Sequence, residues 1–224
     1  ADTDAEGLAL GLDGLLPNLA LAAMHVALDE SAVRLHDRLL ATARDQGALI
    51  MVLYGLTRRG AVQLVRGRWD DVVADAHEAE GLAAATGRPG LAAMPRAWLA
   101  LVASLRGEPD AAERVAAVEE MVTAGSLGTT TASVQDQLRW SRALLADNPA
   151  DALHHYAQMT HGFAERMVAL DRIELAVRAG RTDLAAPWLA AMERFAEGTE
   201  SPWAGAVVAH GRALLAAGDD AEAH

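Results

Sequence analysis

The chain has 224 residues, no cysteine, and 31 acidic against 19 basic side chains, for a formal charge of −12. Without cysteine there is neither a disulfide framework nor a thiolate zinc site, and an acidic balance is a poor match for nucleic-acid phosphates or anionic membrane surfaces. Every basic residue is Arg, which removes Schiff-base and P-loop chemistry, since both need Lys.

Residues 1–7 are acidic and carry short side chains, and are read as a mobile end. No basic segment followed by an apolar one opens the sequence. The most apolar stretch, 83–105, is broken by Arg88, Pro89, Pro95 and Arg96, so no membrane span is expected. These features together predict a cytoplasmic protein. Helical periodicity then pairs 17–27 with 31–45, and 49–66 with a helix that starts at Asp70 or Asp71 and runs to Thr86. It continues with 91–106 and 109–124, 131–146 and 149–160, and 163–179 and 183–197. Gly67 suits a left-handed helix cap, and the acids that follow suit a helix N-terminus. The hydroxyl-rich loop 126–131 is expected to cap the helix that begins near Ala132. A last helix over 203–217 meets a turn at Gly218, after which a second arm starts and stops at His224. A solenoid closes with a full capping helix, so this end reads as cut.

Turn signals begin at Ala27, Gly67, Gly107, Asp147, Gly180 and Gly218, three steps of 40 residues followed by 33 and 38. Such a period marks a solenoid. Five residues after the turn starts stand Ala32, Val72, Ala112, Ala152, Ala185 and Ala223; seven before them stand Ala20, Gly60, Ala100, Trp140, Ile173 and Gly211. Small residues on both arms let two backbones pack closely, and Trp140 breaks that pattern. The expected fold is all-α: an α-solenoid of antiparallel helical hairpins, five to six repeats of roughly 40 residues, forming a single domain over 1–224.

In such an array the first arms line a concave surface. The hairpin register places Tyr54, Thr57, Met94, Leu101, Gln137, Ser141, Met167, Glu174 and Arg212 there, with Trp98 one position aside. A mostly apolar set with a few polar groups suits a small-molecule pocket; each residue taken alone better suits a side chain that fills the interior, and it is the set that points to a groove. Trp69 is expected to pack between hairpins, and Trp203, after Ser201 and Pro202 at a helix start, to cap the array. Adjacent His154 and His155 diverge by about 100° on a helix, and His161 lies two turns on, so no metal site is expected. Neither Asp70-Asp71 nor Glu119-Glu120 has a nucleophile or His nearby in sequence. With no catalytic set and no cofactor motif, the chain reads as a binder and not an enzyme.

The Gly-x-x-x-x-Ala step of the second arms resembles the tetratricopeptide repeat, although the period is longer than that repeat's 34 residues. The run from Asp171 through Glu174 and Gly180-Arg181 to Ala185, then Ser201-Pro202-Trp203-Ala204 and Arg212-Ala213-Leu214-Leu215-Ala216, is similar to the helical region of large actinobacterial LuxR-type regulators related to the maltose regulator MalT. The resemblance is closest over 170–224. It implies a regulatory segment lying between an NTPase and a helix-turn-helix, where an inducing signal is received. Neither flanking domain has its motif here, so DNA binding would belong to a parent protein. The expected partner is a small-molecule effector in the concave groove; a partner helix or peptide in the same groove is the alternative.

Overall fold

A computed structural model describes residues 2–27, 29–125, 127, 130–160 and 162–222, with side chains described within 14–216. Among the described residues there are twelve α-helices and no strand. The chain divides into two compact units between Pro95 and Arg96.

The first unit holds α1 (Asp2–His25), α2 (Asp29–Asp45), α3 (Leu49–Val65), α4 (Trp69–Ala85), a 3-10 turn over Pro89–Ala92 and the start of α5 (Ala93–Arg106). Each of α1 to α4 packs on the next, and α1 also reaches α3. Short connections between packed neighbours give consecutive antiparallel hairpins. The second unit continues with α6 (Ala111–Ala124), α7 (Thr131–Leu145), α8 (Pro149–Ala157), α9 (Gly162–Met167), α10 (Ala169–Arg178), α11 (Thr182–Glu197) and α12 (Pro202–Glu222). Here α7 packs on α6 and α8, while α10 packs on α8, α11 and α12.

The turns explain the spacing read in the sequence. Gly67 has φ of 71°, its N–H donates to the Leu64 carbonyl and the Arg68 N–H reaches back to Gln63. That paired arrangement closes a helix end by satisfying carbonyls left without intrahelical donors. The same pattern recurs at Gly47, Gly107 and Gly180. Ala27 takes the corresponding place in the first turn with φ of 55°, the one non-glycine residue at positive φ among those described.

Close approach between arms follows the small residues. Ala20, Gly60, Ala100, Trp140, Ile173 and Gly211 are all buried. A Cβ at Gly211 would lie 2.8 Å from Leu189 Cδ1, and one at Gly55 would lie 2.8 Å from Leu40 Cδ2. In the first unit an ion cluster ties three helices together: Arg59 of α3 binds Asp75 of α4 through two bonds of 2.9 and 2.6 Å and Asp37 of α2 at 2.6 Å. His36 of α2 is fully buried, and burial pushes its pKa down, so it stays neutral with Nδ1 bonded to the Ala32 carbonyl at 2.7 Å.

Several expectations need correction. The turn at Gly218 does not form, because α12 runs on to Glu222; a glycine inside a helix costs only about 1 kcal/mol. The helix expected over 163–179 is two, α9 and α10, broken at Val168. The helix expected from 17 begins at Asp2 and accommodates Pro17 within it. The expected 91–106 helix gives its first turn to the 3-10 segment at Pro89–Ala92, and α8 stops at Ala157. The small-residue register fails at Ala112, which is exposed, whereas Ala111 is buried. The loop is longer there: α6 starts four residues after Gly107, where α4 starts two after Gly67. Thr130 does not cap α7 with its side chain; its hydroxyl donates backward to the Leu127 carbonyl at 2.8 Å. Ser126, Gly128, Thr129, His161 and Ala223 lie outside the described residues.

Candidate functional site

The residues expected along the first arms are mostly core. Thr57, Met94, Trp98, Leu101, Gln137, Ser141 and Met167 are buried. The hydroxyls of Thr57 and Ser141 donate to carbonyls of their own helices, Thr57 to Leu53 and Tyr54 and Ser141 to Gln137. Tyr54 is half-buried with the Arg58 guanidinium 5.3 Å above its ring. Arg212 is exposed and binds Glu193 at 2.7 Å. Of the ten, Glu174 alone lines a cleft in the second unit that also carries Asp147, Tyr156, Asp171 and Arg178.

That cleft, about 380 Å³, opens between the end of α7, the start of α8 and one face of α10. Its making is local. Helix α7 ends in extended backbone at Ala146, and the Asn148 side chain caps α8 by accepting from the Asp151 N–H at 3.0 Å, with Pro149 in the first turn. Ala143 and Ala152 are too short to fill the space beyond. Pro149, Ala152 and Tyr156 fall on one side of α8, and Asp171, Glu174, Leu175 and Arg178 repeat at helical spacing on α10.

Asp171 is the chemical centre. Its Oδ2 accepts from the Trp140 indole Nε1 at 2.8 Å. Burial pushes its pKa up to about 6; the indole bond works against this and the negative charge of Glu174 adds to it. No Arg or His pairs with Asp171 among the described residues. Glu174 is held by Arg178 at 2.5 Å, with His210 Nε2 4.0 Å away. Tyr156 is 3% exposed, and burial followed by the charge of Asp171 pushes its phenol pKa far up, so it is a neutral hydroxyl at all ordinary pH. That hydroxyl has no hydrogen-bond partner among the described residues.

The surroundings resolve the other candidates. His154 and His155 stand edge to face with ring centroids 6.0 Å apart, and no group of three or more ligating side chains that could hold a metal occurs among the described residues. Asp70 and Asp71 lie in the first turn of α4, and Glu119 grips Arg142 through both carboxylate oxygens. Trp203 packs on the core of α10, α11 and α12, and Trp188 lies 5.0 Å beneath the buried Arg172 guanidinium. Among the described residues no helix is long and apolar enough to cross a membrane. Asp171 and Tyr156 were not singled out from sequence as site residues. The usable signal was Trp140, the one bulky aromatic in a slot where most other hairpins carry a small residue. No protein-family model, curated protein or solved structure matches the chain.

Proposed function

We propose that the chain is an effector-binding domain, the signal-receiving part of a LuxR-type regulator, and that its ligand sits in the cleft between α7, α8 and α10. One observation carries this reading. A charged, poorly compensated carboxylate and the phenol of a buried tyrosine share a cleft of about 380 Å³ with short apolar walls, the kind of mixed lining that small-molecule sites use. Polar groups kept in such a state disfavour the folded chain unless something in the cleft uses them. The segment's resemblance to the regulators' helical region supplies the biological half of the reading. A thermal-shift screen of metabolites tests it. A hit whose shift disappears in Asp171→Asn or Tyr156→Phe is expected; hits that ignore both substitutions remove the cleft from consideration.

A second reading, capture of a partner helix, has its own observation. Leu15 and Leu19 on α1, Val26 in the turn after it, and Leu49 and Ile50 at the start of α3 are 42–50% exposed, and exposed apolar side chains on helices are what a partner helix reads. Leu15→Ser with Leu19→Ser leaves thermal-shift hits unchanged if the cleft is the working site, and abolishes partner capture if this face is.

A further inference from the structure

We propose that the cleft selects a small protonated primary amine, its ammonium on Asp171 and Tyr156 and its apolar chain against Ala143, Ala152 and Leu175. The inference deepens the effector reading and rests on it. Three observations on different elements converge. Asp171 of α10 accepts one side-chain hydrogen bond, from the Trp140 indole of α7, and among the described residues no cation pairs with it. Tyr156 of α8, 3% exposed as a residue, lines the same space, and its hydroxyl has no hydrogen-bond partner among the described residues. Asp147 and Glu174 also line the cleft and add negative charge, and Arg178, the only basic lining residue among those described, is engaged by Glu174 with its side chain 73% exposed. His210 faces Glu174 from α12.

An ammonium has three N–H donors and no acceptor. It meets a carboxylate oxygen and the phenol oxygen, and its positive charge offsets a lining in which three carboxylates face one guanidinium. Hydrogen bonds to a charged partner are roughly twice as strong as neutral ones, so an alcohol of the same length gains less. A carboxylate of the same length meets Asp147, Asp171 and Glu174 and is repelled. The cleft holds a short chain beyond the head group, and the alanine side chains leave room for it without a polar demand.

The test is titration calorimetry of the whole chain with n-pentylammonium, 1-pentanol and pentanoate at pH 7.5, repeated with propyl- and hexylammonium. The ammonium ions are expected to bind saturably in the millimolar range or tighter, at least tenfold better than the alcohol or the acid. Asp171→Asn keeps an acceptor for Trp140 and removes the charge, so it folds and loses at least tenfold in ammonium affinity. Tyr156→Phe loses severalfold. Arg178→Ala leaves ammonium affinity equal or improved. Alcohol or acid binding as tightly as the ammonium, with loss in Asp171→Asn or Tyr156→Phe, overturns the amine and keeps the cleft as a ligand site. Absence of saturable binding by every probe, or binding indifferent to both substitutions, overturns the amine and counts against the cleft as well.

Discussion

At neutral pH the Asp171 carboxylate carries a charge that its surroundings disfavour. Folding raises its pKa from 3.8 to about 6, so the folded chain holds that proton more tightly than the unfolded one. The group is neutral in both states only well below the unfolded value of 3.8. Its contribution to stability falls as pH rises from about 4 to about 6 and is flat above, and the whole penalty is about 3 kcal/mol. Asp171→Asn therefore melts higher than the parent at pH 7.5 and nearly with it at pH 4, which a pair of thermal melts reads directly; an unchanged gap across that range removes the argument for a strained carboxylate. The register put Glu174, half-buried in the same cleft, among the candidates and left Asp171 out. Its sequence neighbours are those of any amphipathic helix, and its chemistry comes from Trp140 and Tyr156, which lie 31 residues before it on α7 and 15 before it on α8. Conversely, the register of Thr57, Leu101 and Ser141 identified inward-facing positions correctly as a periodicity, but could not tell a lined groove from a filled core.

Helices and their turns were far more readable, because glycine at a helix end has a local reason. Gly67 meets no heavy atom within 4 Å of a built Cβ, yet sits at φ of 71°. Gly67→Ala is expected to lose about 1 kcal/mol through backbone strain alone. Gly81, inside α4 and equally uncrowded at ordinary φ, gives the opposite sign: Gly81→Ala gains about 0.5–1 kcal/mol. Urea denaturation of both variants separates turn geometry from space. At Gly211 the cause is reversed, since the obstacle is Leu189 and not the backbone; Gly211→Ala is expected to lose about 1–3 kcal/mol by overpacking α12 on α11. A paired Leu189→Ala recovers part of that loss if the crowding is the reason. The sequence could not separate α9 from α10, nor carry α12 through Gly218, because in both places local propensity permits two outcomes and packing chooses.

For the whole molecule, the excess of acids over bases sets a uniform term. With a formal charge of −12 the folded chain repels itself, and many of its arginines are already engaged locally, as Arg59, Arg66, Arg142 and Arg178 show. Surface pairs of this kind contribute little each, so screening the net repulsion outweighs weakening the pairs. The melting temperature is expected to rise by a few degrees between low salt and about 0.3 M sodium chloride; a fall shows that the pairs dominate. The all-helical, hairpin-built character was plain from alanine content and the recurring turns. The division at Pro95 was not, since α5 crosses it without a break in periodicity.

The bond from Trp140 to Asp171 has a practical outcome. Indole emission is sensitive to a charge beside the ring, so the protein carries its own optical gauge of the cleft. A guest that draws on the carboxylate alters the light from Trp140 without any added dye, and Trp140→Phe silences the signal while the other four tryptophans stay as an internal reference.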